Sequence, residues 1–334
     1  MLTNSQKPRS LLTLVTHDGK FHTDELMAIA IIELWSQHRN NAVQIVRTRN
    51  KEAIAAADIV VDVGGLYNEI TMRFDHHQHN DGSLDRPDTA IPYSSAGLVW
   101  KAFGKELIEK SSFTKNMPDV DIGIIERFHK EVDKRLILPI DANDNGVDLI
   151  SFPRNYLSLT SLVSRMNRPF FIDNEFLDSA YFDVAKGVCS GALLATLNEV
   201  RSEIMAEAII ENAVIHPMWS PDSACCYKEI LELETGCPWK NVVSNEEKYK
   251  DVVFVVAPGK NRWDVNAVPS SSSGFESRAL LPKALRGLND KELQGISGVD
   301  DAIFCHKGGF IAAAASKEGA IRLATLAIKN LWNN

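Results

Sequence analysis

A chain of 334 residues, 45% of them hydrophobic, carries more apolar side chain than one ordinary core absorbs, so two domains are expected. Its formal net charge of -8 repels long polyanions unless basic residues gather locally, which argues against extended duplex nucleic acid as a partner. The five cysteines are an odd number without CxxC spacing and read as a reduced intracellular thiol set, and no stretch approaches the roughly 18 uninterrupted apolar residues of a membrane span.

The opening MLTNSQKPRSLLTLVTHDGKF has too short an apolar run for a signal peptide and too few arginines for an organellar presequence, which makes the cytoplasm the expected location. Residues 11–16 (LLTLVT) read as a strand ending at His17-Asp18-Gly19, and Asp24 to His38 repeats apolar residues at helical spacing through Leu26, Ala30, Ile31 and Leu34. VQIVRT is a second strand, KEAIAAA a short helix, and DIVVDVGG a third strand stopped by two glycines. Strands alternating with helices imply an α/β fold with a mainly parallel sheet, whose ligand crevice lies beyond the carboxyl ends of the strands.

SSAGLVWKAFGKEL and residues 119–135 read as helices, and the polar DANDNG as a loop. From Asn174 to about Asn212 an amphipathic pattern through Phe182, Ala185, Val188 and Leu193 suggests one or two helices linking the halves. VVFVVAP, WDVNAVP, AIFC and GGFIAAAA are candidate strands, VPSSSSGFES a loop, and EGAIRLATLAIKNLW a closing helix. The expected division is a metal-binding catalytic domain over residues 1–172, a helical linker over 173–212 and a smaller mixed α/β domain over 213–334.

Four clusters supply imidazole and carboxylate groups at one expected rim of the first sheet: His17, His22 and Asp24; Asp62 ahead of Gly64-Gly65; Asp75-His76-His77; and Asp141 with Asp144 in DANDNG. Such a mixture suits manganese, iron or zinc better than calcium, and a carboxylate-heavy set with open positions favours manganese or magnesium over structural zinc. Two ions roughly 3.5–4 Å apart need a bridging carboxylate and activate a shared water. Asp62 is the candidate bridge. His17, His22 and Asp24 would fill one shell or part of both, with His76 and either Asp141 or Asp144 opposite, and His77 placed to bond the phosphate or the attacking water. Asp62, Asp75 and His77 form the expected catalytic group.

Each cluster also has a plainer account. Asp24 and Glu25 open a helix, where acidic residues suit the macrodipole. Asp62 before Gly-Gly, and the whole of DANDNG, suit turns. His17 and His22 suit a surface loop. Adjacent His76 and His77 behind Asp75 serve no packing purpose, and joint occurrence at one rim carries the metal reading.

THDGKFHTDE, DIVVDVGG, RFDHHQ, SSAGLVW and DANDNG, in this order, resemble the DHH phosphoesterase superfamily. Together with FESRALLPKALRGL, ELQGISGVDDAIFCH and GGFIAAA they are most similar to its melanocyte-proliferating-gene branch, formerly labelled metal-dependent protein hydrolases and later regarded as 3′–5′ RNA exonucleases. The resemblance spans nearly the whole chain. It implies an N-terminal DHH domain, a C-terminal domain that closes over the substrate, manganese or magnesium between them, and His17, His22, Asp24, Asp62, His76 and Asp141 as ligands; it also leaves nucleus and mitochondrion open as locations. Two departures stand out. His22-Thr23-Asp24 replaces the usual Asp-x-Asp, and the glycine-rich signature of the second half is reduced to His306-Lys307-Gly308-Gly309.

In that second half Lys260, Arg262, Arg278, Lys283, Arg286 and Lys307 lie close in sequence; Arg278 is the preferred phosphate clamp because its fork binds two oxygens, and the alternative is a scattered solvated surface. Trp263 suits either stacking on a base or burial in its strand. The expected activity is hydrolysis of phosphodiester bonds in short single-stranded RNA or small nucleotides. A pyrophosphatase or nucleotide phosphatase on the same centre, and a non-catalytic metal-binding regulator, are the competing readings.

Overall fold

A computed structural model of the chain describes residues 10–77, 84–111, 113–115, 117, 120–147, 157–172, 174–220, 223–271 and 276–332. It divides into two compact units, Met1–Arg201 and Ser202–Asn334. In the first, the chain forms β1 (Ser10–Thr16), α1 (Thr23–His38), β2 (Asn41–Arg47), α2 (Lys51–Ala56), β3 (Ile59–Val61), β4 (Tyr67–Asn68) and β5 (Arg73–Phe74). The strands make one sheet in the order β2-β1-β3-β5-β4, parallel except where β4 runs against β5. Ile59, Val60 and Val61 are buried without interruption, as expected of a strand covered on both faces. α1 is apolar all round, with Leu26, Met27, Ile29, Ile31 and Ile32 fully buried, so it is a core helix rather than a surface one.

The unit continues through α3 (Ser95–Lys110), α4 (Ile122–Val132), α5 (Leu138–Asp144), α6 (Leu159–Arg165) and α7 (Asp178–Glu211). The helix expected over 119–135 starts at Ile122, where the Asp121 side chain accepts from the Ile124 N–H at 2.8 Å; residues 118 and 119 lie outside the described residues. A π-helical turn, Asp133–Ile137, carries α4 directly into α5. DANDNG is therefore not a loop from its start. Its first four residues close α5, because the Asp141 side chain that favours turns when free is held elsewhere by tertiary bonds. α7 is one helix of 34 residues, and the division between units falls inside it.

The second unit contains β6 (Val214–Ser220), β7 (Ser223–Glu232), α8 (Lys240–Asn245), β8 (Val252–Gly259), β9 (Arg262–Ala267), α9 (Asp290–Ser297), β10 (Ala302–Cys305), β11 (Ile311–Ala314) and α10 (Lys317–Trp332). Its sheet runs β10-β11-β9-β8-β7-β6, antiparallel except for the β7–β8 pair. α10 lays Ala320, Leu323, Ala324, Ala327 and Ile328 on one face of it. β6 was not legible in the sequence because Pro217 interrupts it, and its place at the end of the sheet order is where proline is tolerated. Residues 272–275 of VPSSSSGFES lie outside the described residues.

Phe74 ends β5 fully buried, edge-on to Phe103 at 5.4 Å. Phe74→Ala should cost about 3–5 kcal/mol in urea denaturation; a loss under about 1 kcal/mol would show that this end of the sheet is not packed as described.

Candidate metal centre

Three adjacent strand ends deliver the polar residues. His17 follows β1, Asp62 follows β3, and Asp75-His76-His77 follows β5. The chain leaves β1 for β2 on one side and returns to β3 on the other, so the strand order reverses where a crevice is expected. Asp62 takes a left-handed backbone conformation, φ 56°, a strain of about 1–3 kcal/mol that concentrates at functional sites. Its N–H donates to the Phe74 carbonyl at 3.0 Å and its Oδ1 accepts from Ser95 Oγ at 3.1 Å, so backbone and side chain are both pinned.

His22 caps α1, and Asp24 and Glu25 fill its first turn. The Glu25 oxygens accept from the His22 N–H at 2.8 and 2.9 Å while Oε1 lies 3.2 Å from His17 Nε2. Three groups of donor atoms result, each within 4.8 Å: His17, His22, Glu25 and Asp62; Asp62, His76 and His77; and Asp24, His76 and Asp144. Asp62 belongs to two of them and so does His76. His17 Nε2 is 3.3 Å from Asp62 Oδ2, and His76 Nε2 is 3.6 Å from Asp62 Oδ1 and 3.2 Å from Asp144 Oδ2. His77 Nδ1 lies 2.8 Å from Asp75 Oδ1.

The electrostatics fit a cation. Both Asp24 oxygens and His76 Nε2 are buried without a hydrogen-bond partner, a costly arrangement unless a proton or a cation completes it. Burial, then the carboxylates of Asp62, Asp144 and Glu25, push the Asp24 carboxyl well above the usual range. Burial opposes charging His17, yet Asp62 and Glu25 outweigh it and raise its imidazole to about 10. Each of the three groups offers a divalent ion both imidazole and carboxylate donors.

Asp141 lies outside these groups, with all of its oxygen capacity engaged. Oδ1 accepts from Ser94 N, Ser94 Oγ and Gly97 N at 3.1, 2.7 and 3.1 Å, and Oδ2 from Arg86 Nε and Nη2 at 2.9 and 2.5 Å. It thus serves the N-terminus of α3, where a Cβ on Gly97 would sit 2.2 Å from its oxygen. Burial lifts its carboxyl to about 6 in spite of Arg86. The donor from DANDNG that meets Asp24 and His76 is Asp144. Glu25 and Ser95 escaped the sequence reading because helix-start chemistry accounts for both equally well; Arg86 carried no local signal at all.

In the second unit Arg278 directs Nη1 to the carbonyls of Tyr249 and Val252 and Nη2 to those of Val243 and Ser244, at 2.5–3.1 Å. Arg262 pairs with Asp264 at 2.7 Å, Arg286 Nε donates to the Leu281 carbonyl at 2.8 Å, and Trp263 packs on the core. His306 to Gly309 form a turn in which the Gly308 N–H donates to His306 Nδ1 at 3.0 Å, and Lys307 is exposed. Gly309 has φ 71°, and a Cβ there would lie 2.5 Å from Arg286 Nε.

Residues 13–328 match the family MYG1_exonuc, described as uncharacterised protein family UPF0160. The MYG1 protein of Saccharomyces cerevisiae is 31% identical over 334 residues, covering 94% of this chain and 95% of that protein. The MYG1 exonuclease of Mus musculus is 32% identical over 340 residues, covering 96% and 87%. A manganese-bound RecJ from Thermus thermophilus aligns over 96% of this chain and 52% of its own at 14% identity, with a TM-score of 0.25. Among the described residues no helix is long and apolar enough to cross a membrane.

Removing one unpaired buried charge should separate stability from metal binding. Asp24→Asn is expected to raise the melting midpoint in EDTA by about 2–4 °C, and to weaken the stabilisation gained from added Mn2+ by at least about tenfold in apparent affinity. A lower midpoint in EDTA with unchanged Mn2+ response would contradict the metal assignment.

Proposed function

The chain belongs to the MYG1_exonuc family (UPF0160), and from that premise we propose that it is a divalent-metal-dependent hydrolase that removes nucleotides from short single-stranded RNA or small nucleotides in the 3′–5′ direction. The observation that carries this reading is the sharing of Asp62 and His76 between neighbouring donor groups, as a pair of closely spaced ions requires. The exonuclease name of the mouse relative supports the nuclease class. His17, His22, Glu25 and Asp62 would hold one ion and Asp62, His76, Asp24 and Asp144 the other, manganese or magnesium. When bound, the ions supply Lewis-acid stabilisation of phosphate oxygens and bring a water pKa into the neutral range.

The chain's own groups do the rest. Ser95 keeps Asp62 aimed at both donor groups. Asp75 holds His77 by its Nδ1 and keeps its pKa above the usual imidazole range, which favours a charged ring that donates to a phosphate oxygen. His77 is 57% exposed beside a 2% exposed Asp62, and both line a cavity of about 540 Å3 shared with His17, Lys20 and Arg49. That volume takes one nucleotide. The His306–Gly309 turn, with exposed Lys307, is the proposed substrate-side element of the second unit.

A Mn2+-dependent assay on a 5′-labelled pentaribonucleotide, pApA and pyrophosphate tests this. The wild type should shorten the pentamer stepwise from its 3′ end, and Asp62→Asn and His76→Ala should each lose at least about a hundredfold in rate. Preference for pyrophosphate would replace the reading with a phosphatase. Bound Mn2+ without turnover would make the protein a regulator.

A further inference from the structure

A second cavity, of about 300 Å3, opens beside the donor-lined one and shares Gly19 and Lys20 with it. Its wall carries Lys20, Arg47 and Arg168 against one acid, Asp178, in a chain whose net charge is -8. Asp178 is spent on Arg168, whose Nε lies 2.6 Å from its Oδ1. Lys20 has no ion-pair partner among the described residues. Two positive charges are thus left over at the edge of an otherwise acidic centre, where a polyanion would first be met.

The two arginines are held in place. Arg47 lies over the Phe182 ring at 4.5 Å and its Nη2 donates to the Gly19 carbonyl at 2.6 Å, while its Nε is buried without an acceptor. A reciprocal amide clamp ties the facing segment down: Asn167 Oδ1 accepts from the Phe21 N–H and Nδ2 donates to the Phe21 carbonyl, both at 2.9 Å. On the anchored segment Phe170, 97% exposed, lines the same cavity. That ring meets Phe171, itself exposed, edge-on at 5.6 Å. A large apolar ring left in water beside fixed arginines buries little in this unit and suits the face of a base.

We propose that this cavity is the subsite for the second nucleotide of a single strand, with Lys20 and Arg47 on the phosphate next to the scissile one and Phe170 stacked on the attached base. The proposal rests on the phosphodiesterase reading and deepens it. Inorganic phosphate or pyrophosphate would occupy the cations with no use for the ring; a chain of two or more nucleotides uses both. The subsite therefore makes the centre discriminate by length.

Two readouts test it. Anisotropy of a 5′-fluorescein pentaribonucleotide in EDTA, where hydrolysis does not intervene, should give a Kd about tenfold weaker for Phe170→Ala than for wild type. Lys20→Ala should weaken it as well and flatten its salt dependence. With Mn2+, the ratio of kcat/KM on the unlabelled pentamer to that on thymidine 5′-p-nitrophenyl phosphate, which has neither a second phosphate nor a second base, should fall about tenfold in Phe170→Ala. Kd and ratio both within twofold of wild type would overturn the subsite while leaving the phosphodiesterase reading intact, and so would absence of wild-type binding in EDTA, because the subsite contains no proposed metal ligand. Failure of the wild type to cleave either substrate with Mn2+ would overturn the underlying reading and the subsite with it.

Discussion

Buried negative charge in excess of its internal counter-charge is the constraint on which the first unit is built. Asp24, Glu25 and Asp62 are each 4% exposed or less, and Asp24 has no hydrogen-bond donor on either oxygen. Folding such a group costs several kcal/mol unless a proton or a metal ion supplies the missing positive charge. The raised pKa values of Asp24 and His17 express the same field as a demand for protons. A divalent cation meets that demand more fully, so ion binding and stability of this unit are linked.

The fold serves this cluster at each level. Parallel strands end side by side, so three short sequence motifs from separate stretches of the chain arrive at one rim. The left-handed backbone of Asp62 turns its side chain there, and the Ser95 hydroxyl at the start of α3 fixes it. Asp141 and Arg86 lie one layer back and secure the same helix N-terminus that presents Ser95. Arg86 also reaches Asp133, which ties the π-helical turn into the network. Loss of this second layer would loosen Asp62 through α3.

Much of this was legible in the sequence because strand and helix periods differ plainly in the first 75 residues and the motifs fall at strand ends. Two things were not. Whether Asp141 or Asp144 joins the donors depends on helical phase in α5, and the turn-like composition of DANDNG hid that helix. The role of Arg278 depends on four carbonyls brought together only by the second unit's tertiary structure. Glu25 shows the reverse case: a helix-capping carboxylate and a candidate ligand are the same side chain, and only its distance to His17 separates the two.

Anomalous diffraction at the manganese edge, from crystals of the whole chain grown with Mn2+, addresses the central claim most directly. Two peaks bounded by His17, Glu25 and Asp62 on one side and Asp24, His76 and Asp144 on the other, with Asp62 touching both, are the predicted result. Ordered density for these side chains with no anomalous peak among them, or a peak at some other place in the chain, would contradict it.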